Sequence, residues 1–571
     1  MTTELATSAK TLLTAVISPS GRRVVLTSSV RDHDYQADWF SRLPYHAWLK
    51  SKQAWLAEPT PYAAHTILAA PFAMVEADEH ISALAASWVE CQRRAAELLS
   101  NAPSLAQPER RKFDAWPWQV PTYHFAMAMD AALLHVTMGG GKTKVVIDLI
   151  ANSETRRVLI LCPTSVRSVW RGEFAKHSDL SGNVLVLDKQ SVKDRTRMAD
   201  AFIARGVVPA IIVINYESVW REPFAAWSLE RTWDVVVLDE SARVKAATSR
   251  VSLYASDLRR VSTKRLCLTG TPMPKDPLDL FGQFRFLDPA IFGSSFHRFR
   301  SEFADMHPMI PEMVKTWKNQ DELARRMALL AYRVDADVLK LPAPTHTVVP
   351  VSLSPAAARV YNELERDMIA DVAGGAVTAA NALVRVTRLQ QVTSGYTVLD
   401  PTRPGGERIE KPLSTDKADA LADLLADLPV DEPVAVFCRF RWDLDRAKEV
   451  AEKLSRTYGE LSGRRHDLTD DAKMPEGIGL FAVQVKSGGV GIDLTRARYG
   501  VVLSIGYLSP GDYDQMIARM VRPGQRGLVT FWHLVCEGTI DETVYEALAN
   551  KRDVIEAILD RACAEALSPR L

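Results

Sequence analysis

The chain has 571 residues, of which 47% are hydrophobic and 25% are charged. It is long enough for about three or four globular domains, and its composition excludes a disordered protein or a small disulfide-stapled one. The 70 basic and 70 acidic side chains leave no net charge at pH 7. Any surface that attracts nucleic acid must therefore be a local basic track.

Cysteine usage and the apolar runs indicate a reducing compartment and no membrane span. The six cysteines are scattered without C-x-x-C pairs, and four of them lie in apolar, strand-like runs. This pattern predicts buried free thiols, with neither disulfides nor zinc. The N-terminal apolar run is too short for a secretory signal, and no run approaches the length of a spanning helix. We therefore expect a cytoplasmic protein.

The N-terminal hundred residues contain an aromatic segment at 24–59, "VVLTSSVRDHDYQADWFSRLPYHAWLKSKQAWLAEP". Its tryptophans and nearby basic residues are Trp39, Trp48, Trp55, Arg42, Lys50 and Lys52. The segment resembles the HARP-type substrate-recognition segment of annealing translocases, in which case aromatic rings would stack on exposed bases at a DNA junction. The alternative is a small domain with tryptophans in its core, since tryptophan side chains are usually mostly buried.

The next patterned segment is "LLHVTMGGGKTKVVIDLI" at 133–150. Residues 133–136 predict a short buried strand, and residues 144–150 have apolar side chains at helical spacing. A glycine loop between them lets backbone N–H groups converge on a phosphate at the positive end of a helix. Lys142 then reaches the β and γ phosphates, and the hydroxyl of Thr143 binds Mg²⁺. Val136 stands where the P-loop pattern has glycine, so a plain glycine turn is the alternative.

Further along the chain, two series of short apolar runs alternate with helical patterns. The first series is "RRVLILCP", "VVPAIIVIN", "WDVVVLDE" and "KRLCLTGTP", and the second is "PVAVFCRF", "GIGLFAVQV", "RYGVVLSIG" and "LVTFWHLV". The alternation predicts two α/β domains with parallel sheets. Residues of about 290 to 400 are mostly helical in pattern, and residues 399–417 have the proline, glycine and charge of a linker.

Two carboxylates end the third run of the first series, in "VVVLDESARVKAATS". Loops at the carboxyl edge of a parallel sheet gather ligands, so Asp239 would hold Mg²⁺ and Glu240 would activate the water that attacks the γ-phosphate. An Asp-Glu pair at this place is also a common solvated helix cap, which is the alternative for this segment alone.

The whole ordered set of segments resembles the motifs of the Swi/Snf-type DNA translocases of helicase superfamily two, over roughly residues 113–555. Eight segments resemble motifs I, Ia, Ib, II, III, IV, V and VI. In that order they are "MGGGKTK", "LCPTSVRSVWRGEF", "IIVINYESV", "DESARVKAATS", "LTGTPMPKDPLDLFGQFRFLDP", "VAVFCRF", "VQVKSGGVGIDLTRA" and "DQMIARMVRPGQ". The resemblance implies ATP and Mg²⁺ as cofactors.

The resemblance also implies roles for individual residues. It places ATP against Gln119, which would read adenine, and against Met138, Gly139, Gly140, Gly141, Lys142, Thr143, Asp239, Gly491 and Asp493. Thr143 and Asp239 would hold the metal. The catalytic residues would be Glu240, Gln515, Arg519 and Arg522. The two arginines would stabilise charge on the transferring phosphoryl group through their guanidinium forks. A helix-surface salt bridge is the alternative for the arginines. The DNA backbone would lie on Thr164, Ser165, Asn215, Tyr216, Ser487 and Gly488, which read no bases.

Three positions depart from the family pattern. Val136 and Thr137 replace an acidic pair, and Ala242 replaces the histidine that commonly couples hydrolysis to motif III. Asp239 and Glu240 keep hydrolysis possible, so we expect ATPase activity that is slow and less efficiently coupled to motif III.

The sequence therefore predicts an α/β protein with two tandem RecA-like parallel-sheet lobes, helical insertions and a small N-terminal accessory domain. The expected limits are 1–105 for the accessory domain, 106–290 for the first lobe, 291–412 for a helical connection and 413–571 for the second lobe. We expect a monomeric, ATP-dependent translocase on double-stranded or forked DNA, in the cytoplasm of a bacterial or phage-infected cell. The alternatives are a strand-separating helicase and a nucleotide-gated DNA clamp with little turnover.

Overall fold

The computed structural model describes residues 11–29, 39–188, 191–306, 314–373, 379–399, 409–469, 471–485, 492–506 and 509–550, apart from the side chains of residues 11 and 367–383. These residues form one mixed N-terminal sheet and two larger sheets in which all paired strands are parallel.

The N-terminal domain is a five-stranded sheet with two helices. Its strands, in the spatial order β3-β4-β2-β1-β5, are β1 (Thr11–Ile17), β2 (Val24–Ser28), β3 (Ala47–Leu49), β4 (Ala54–Ala57) and β5 (Ala73–Ala77). Its helices are α1 (Pro61–Leu68) and α2 (Glu79–Ser100). Asp78 caps the N-terminus of α2, since its side chain accepts a hydrogen bond from the backbone N–H of Ile81. It buries Ala85 in the small domain but Trp88 in the core of the first lobe, and so belongs to both.

The first lobe is a seven-stranded parallel sheet in the order β14-β6-β11-β10-β7-β9-β8. Its strands are β6 (Ala131–Val136), β7 (Arg157–Cys162), β8 (Val184–Val186), β9 (Ala210–Asn215), β10 (Trp233–Asp239), β11 (Ser262–Thr269) and, after the hairpin β12 (Ala304–Met306) and β13 (Val314–Trp317), β14 (Ala331–Val334). The helices of this region are α3 (Gln119–Ala128), α4 (Lys142–Ala151), α5 (Arg167–His177), α6 (Val192–Ala204), α7 (Tyr216–Val219), α8 (Phe224–Leu229), α9 (Arg250–Leu258), α10 (Leu280–Leu287), α11 (Phe296–Phe303) and α12 (Gln320–Ala328).

The central strands of this sheet are buried on both faces. Strand β9, "AIIVIN", is buried at every position, as expected for a strand covered by helices on both sides. In the register, Thr269 of β11 lies beside His135 of β6, and Asp239 of β10 lies beside Leu268. The loops that follow β6, β10 and β11 therefore emerge together at one edge of the sheet.

The second lobe is a six-stranded parallel sheet in the order β15-β22-β21-β18-β20-β19. Its strands are β15 (Thr345–Val351), β18 (Val434–Cys438), β19 (Tyr458–Leu461), β20 (Leu480–Gln484), β21 (Tyr499–Val502) and β22 (Thr530–Cys536), and a separate hairpin is formed by β16 (Tyr396–Leu399) and β17 (Ile409–Pro412). The helices are α13 (Pro355–Ala373), α14 (Ala379–Thr393), α15 (Asp416–Ala426), α16 (Arg441–Lys453), α17 (Pro510–Ile517) and α18 (Ile540–Ala549).

The predicted fold class is confirmed, since each of the eight apolar runs of the two series contains a strand of the expected parallel sheets. The segment 291–412, which the sequence predicts as a helical connection, also supplies edge strand β14 to the first sheet and β15 to the second. Five cysteines lie in the described residues and all are free thiols. None of the helices described is long and apolar enough to cross a bilayer.

Candidate functional site

The glycine loop connects β6 to α4 at the shared edge of the first sheet. Gly139 and Gly141 have φ values of +77° and +76°, in the left-handed region that glycine adopts without strain. The N–H of Gly140 donates to the carbonyl oxygen of Thr137 at 3.0 Å, and α4 begins at Lys142. The loop thus turns back on itself directly before a helix N-terminus, which is the arrangement that binds phosphate.

Lys142 lies over this loop, where its Nζ donates to the carbonyl oxygen of Val136 at 3.0 Å. Burial lowers the pKa of Lys142, and the nearby carboxylates of Glu240 and Asp239 oppose that shift. The ammonium group and the two carboxylates therefore share one poorly solvated site. Thr143, the predicted metal ligand, follows in the first turn of α4 and is half-buried.

Gln119 holds the glycine loop through hydrogen bonds to its backbone. It is 2% exposed, and its Nε2 donates to the carbonyl oxygens of Gly140 at 3.3 Å and Gly141 at 3.2 Å. Its Oε1 accepts from the N–H of Trp116 at 2.8 Å, and the indole N–H of Trp118 also donates to Gly140. The amide is thus fully used inside the protein. A buried amide is held where its hydrogen bonds are satisfied, and the contact of Gln119 with adenine stays a prediction.

Motif II follows β10 at the same edge. The Oδ2 of Asp239 accepts from the indole N–H of Trp170 at 3.1 Å, and burial, followed by the charge of Glu240, raises the pKa of Asp239. Glu240 has a φ of +54°, an uncommon conformation for a residue other than glycine. It is 8% exposed, its Oε2 has no hydrogen-bond partner among the described residues, and burial raises the pKa of its carboxyl group.

These features fit a metal and an attacking water. Lys142 lies near both adjacent carboxyl groups and Arg243 near Glu240, yet burial still raises the pKa of both, so a further cation would stabilise their charged forms. A buried carboxylate oxygen without a partner is costly unless a ligand or water completes its hydrogen bonds. Asp239 and Glu240 therefore have the charge and the free oxygen that Mg²⁺ and a nucleophilic water need.

The two lobes meet at motifs III and VI. The Nε2 of Gln515 in α17 donates to the hydroxyl of Thr271 at 3.2 Å. In the same helix, the N–H of Gly511 donates to the carbonyl oxygen of Pro274 at 3.1 Å. Residues 271–274 follow β11 directly, so the second lobe touches the first beside the glycine loop.

The motif VI arginines lie on this boundary. A Cβ built on Gly139 would be 3.2 Å from the Cβ of Arg522, which places Arg522 against the glycine loop. The Nη1 of Arg522 donates to the carbonyl oxygen of Ile492 at 3.1 Å. Arg519 is buried, its Nη1 has no hydrogen-bond partner in the described part of the chain, and burial lowers its pKa to about 10. Neither arginine forms a described ion pair, so the surface salt-bridge alternative does not describe them.

The predicted DNA contacts of motifs Ia and Ib separate into two groups. Thr164 is exposed and Ser165 is half-buried, so both lie within reach of a ligand. Tyr216 is 3% exposed and its hydroxyl donates to the carbonyl oxygen of Asp239 at 2.8 Å. Asn215 is also buried, and its Nδ2 donates to Glu217. Both side chains are hydrogen-bonded within the first lobe, to motif II and to the loop beside it, and their contact with a DNA backbone stays a prediction.

The remaining predicted residues are less informative. Ser487, Gly488 and Gly491 of motif V lie outside the described residues. Asp493 is half-buried, and its Oδ1 accepts hydrogen bonds from the backbone and side chain of Thr495. Met138 packs on Gly270 of motif III, where a Cβ would come within 2.7 Å of the Met138 side chain.

Two residues of the site were not singled out from the sequence. Trp170 orients Asp239, and Thr271 receives Gln515 from the other lobe. The only available signal was their position inside segments that resemble motifs Ia and III, because a lone tryptophan in a helix is usually a packing residue.

The tryptophans of the N-terminal domain pack on one another. Trp39 lies edge-on to Phe72 at 5.2 Å between ring centroids, and Trp55 lies 5.3 Å from Trp48. All three tryptophans are half-buried, whereas Lys50 is exposed. Their packing is that of the structural alternative, and recognition of a DNA junction stays a prediction.

Comparisons with known proteins find a matching family model and several relatives of this chain. A family model described as the SNF2-related domain matches residues 85–395, more than half of the chain. A Caenorhabditis elegans homolog of SWI/SNF-related matrix-associated actin-dependent regulator of chromatin subfamily A-like protein 1 is 26% identical over 462 residues, which cover 77% of this chain and 61% of the relative. Protein p41 of Acyrthosiphon pisum secondary endosymbiont phage 1 is 24% identical over 480 residues, which cover 79% of this chain and 99% of the relative.

A solved structure, the Sulfolobus solfataricus SWI2/SNF2 ATPase core in complex with dsDNA, is similar at 22% identity with a TM-score of 0.38. The similarity covers 81% of this chain and 97% of that one. The chain thus spans less than two thirds of the nematode relative and nearly all of the phage protein.

Proposed function

Because the chain belongs to the SNF2-related family of DNA-dependent ATPases, we propose that it is a translocase which hydrolyses ATP with Mg²⁺ to move along double-stranded or forked DNA. The observation that carries the proposal is the contact between the glycine loop of the first lobe and Arg522 of the second. A nucleotide at this boundary would be touched by both lobes, so its binding and hydrolysis would change how the lobes are arranged.

Each charged group at the boundary has a task in this proposal. Lys142 and the glycine loop bind the phosphates, and Thr143 and Asp239 hold the Mg²⁺ ion. When bound, this ion neutralises phosphate charge as it develops in the transition state. Glu240, with its unpaired Oε2, orients and deprotonates the attacking water.

The arginines of the second lobe complete the site. Arg522 lies against Gly139, and Arg519 has a buried Nη1 that lacks a partner in the described residues. Both can donate to phosphoryl oxygens through a planar fork, which a lysine cannot reproduce. Gln515 donates a hydrogen bond to Thr271 of the opposite lobe, and this bond forms only when the two lobes are in contact.

DNA would lie across the carboxyl edges of both sheets, where Thr164 and Ser165 are within reach. Hydroxyl and backbone N–H groups contact phosphates and read no bases, so tracking would be independent of sequence. The name of the solved structure places dsDNA on a related ATPase core, which suits a duplex substrate here. We further propose that the protein acts as a monomer in the cytoplasm, in line with its likeness to a phage protein.

The test is the rate of phosphate release without DNA and with single-stranded, duplex and forked DNA, alongside triplex displacement and strand displacement. A translocase is stimulated by duplex DNA and displaces a third strand without separating the duplex. Strand separation would instead favour a helicase. Nucleotide-dependent DNA binding without phosphate release would favour a nucleotide-gated DNA clamp. A Lys142→Ala variant is the control for contaminating ATPases.

A further inference from the structure

Motif II is joined to motif III by a buried chain of hydrogen bonds that the roles above do not use. The hydroxyl of Ser241, which directly follows Glu240, donates to Oε1 of Gln283 at 2.7 Å. The Nε2 of Gln283 in α10 donates to the carbonyl oxygens of Pro272 at 2.7 Å and Asp279 at 3.0 Å. Ser241 and Gln283 are both 0% exposed. The amide of Gln283 therefore accepts a hydrogen bond through its oxygen and donates through its nitrogen at the same time.

This chain of bonds continues to the second lobe. Pro272 stands between Thr271, which accepts from Gln515, and Pro274, whose carbonyl oxygen accepts from Gly511. A fully buried hydrogen bond is either made or broken, since an unpaired polar group there is costly. A shift of residues 271–274 during lobe movement would therefore change the hydrogen bond between Gln283 and Ser241, which is next to the strained backbone of Glu240.

We propose that Gln283 is a positioning residue that couples the orientation of Glu240 to the arrangement of the two lobes, and this rests on the proposed DNA-dependent ATPase. It supplies a connection between motifs II and III in a chain whose motif II has Ala242. Gln283 is fully buried and has no proposed role in binding the nucleotide. Its loss should therefore reduce the response of hydrolysis to DNA while ATP binding is retained.

The test compares ATP hydrolysis with and without duplex DNA in wild type and in Gln283→Met, which keeps the side-chain length but neither accepts nor donates. We expect the ratio of DNA-stimulated to basal kcat to fall by about tenfold, the equivalent of one lost coupling hydrogen bond. The KM for ATP should be unchanged. Gln283→Glu, which still accepts from Ser241 but cannot donate to Pro272, should also lose stimulation.

Two controls keep the result decisive. Gln92→Met removes a glutamine that donates to the carbonyl oxygen of Leu329 away from the site, and it should keep full stimulation. Ser241→Ala, which leaves Gln283 bonded to Pro272, is the variant to use if Gln283→Met does not fold. Equal stimulation of wild type and both Gln283 variants would refute the coupling alone. A wild-type protein that hydrolyses no ATP with any DNA would refute the proposed function instead.

A different observation concerns a cavity of about 650 Å³ between the N-terminal domain and the first lobe. Its lining includes Arg22 and Arg23, which precede β2, Arg259 and Arg260, which precede β11, and Arg265 within β11. The glycine loop lies at the other end of these parallel strands. The cavity is therefore separate from the site between the lobes.

The cavity carries more positive than negative charge. Five arginines line it, against the three carboxylates of Glu58, Asp257 and Asp288. Arg259 is 8% exposed; its Nη2 lies 2.7 Å from Glu58, while its Nε has no hydrogen-bond partner in the described part of the chain. Among the described residues, Arg265 donates to the backbone carbonyl oxygens of Leu287, Ser262 and Thr263, and burial, followed by the charge of Arg259, lowers its pKa to about 10.

We infer that this cavity binds a phosphate group, carried either by a small molecule or by the end of a DNA strand. Arg259 is buried and pairs with Glu58, whereas the neighbouring Arg265 is half-buried and forms no ion pair among the described residues. An anion stabilises two adjacent guanidinium groups, and their forks match phosphate oxygens. The volume is within the range of small-molecule sites. This inference does not depend on ATP hydrolysis.

Calorimetric titration with pyrophosphate tests it in the Lys142→Ala protein, whose phosphate site between the lobes lacks its lysine. One site should remain, and Arg265→Gln or the exposed Arg22→Ala should weaken it by about tenfold or more. Arg205→Ala, an exposed arginine elsewhere on the first lobe, should not. No binding to Lys142→Ala, or equal binding by the cavity variants, would overturn the inference. Competition by a 5′-phosphorylated single strand would identify DNA as the source of the phosphate, and its absence a small molecule.

Discussion

Gly511→Ala should slow ATP hydrolysis by holding the two lobes apart. Gly511 lies in the first turn of α17, and its N–H donates to Pro274 of the first lobe. A Cβ at this position would lie 2.6 Å from the Cα of Pro274 and 2.9 Å from its Cβ. Carbon atoms pack best at about 3.5–4.0 Å, so the contact is short by about 1 Å. Neither a helix backbone nor a proline ring moves aside easily.

The magnitude follows from this overlap. Overpacking of a tight contact costs about 1–3 kcal/mol, which lowers the population of touching lobes by about fivefold to 150-fold. Alanine is also favoured over glycine in a helix by about 0.5–1 kcal/mol, so α17 itself is not destabilised. The expected result is a fall in DNA-stimulated kcat of about tenfold or more, with an unchanged or raised Tm.

The assay is phosphate release at saturating ATP and duplex DNA, with thermal unfolding measured on the same protein. Gly172→Ala is the matched control, because Gly172 lies in helix α5 and a Cβ there meets no atom within 4 Å. A Gly511→Ala enzyme with kcat within about twofold of wild type would show that hydrolysis does not require this contact between the lobes.

Three further changes probe the site and the second lobe. Arg522→Lys should bind ATP and DNA normally but lower kcat by roughly 10³-fold, and a loss below about tenfold would return Arg522 to a surface role. Glu240→Gln should bind nucleotide yet lose about 10²-fold or more of kcat in phosphate-release assays, whereas failure to bind would assign Glu240 another task. Burial, followed by the charge of His346, lowers the pKa of His533 to about 3 from 6.5. Because His533 stays neutral in the fold, unfolding takes up a proton below pH 6.5, and the free energy of unfolding falls by about 2 kcal/mol from pH 7 to pH 5. The free energy of urea unfolding should depend less on pH in His533→Gln than in wild type, and an equal dependence in the two proteins would contradict this.

The strands of both lobes could be predicted because their sequences are continuous apolar runs. Strands β7, β9, β10 and β18 are buried on both faces, and such runs remain visible without any tertiary information. The edge strands were missed for the opposite reason. Strand β15, "THTVVPV", is exposed at most positions and so lacks that signal.

The site could be predicted in its charged residues but not in its supporting contacts. Lys142 and Arg522 are far apart in the chain yet share a boundary, as the ordered motifs implied. The orientation of Gln119 and the burial of Tyr216 could not be foreseen, since amide and hydroxyl groups suit a ligand and a buried backbone carbonyl equally well. The partner of the Gln119 amide and of the Tyr216 hydroxyl depends on the folded conformation of the backbone around them.

The most direct measurement is the steady-state rate of phosphate release by the wild-type protein and by Lys142→Ala, each with and without duplex DNA. The account places ATP on the glycine loop and makes its hydrolysis depend on DNA that holds the lobes together. It therefore predicts turnover that rises by at least about tenfold with duplex DNA in wild type, and no turnover in Lys142→Ala with or without DNA. A wild-type rate unchanged by DNA, or a Lys142→Ala protein that retains most of the stimulated rate, would contradict it.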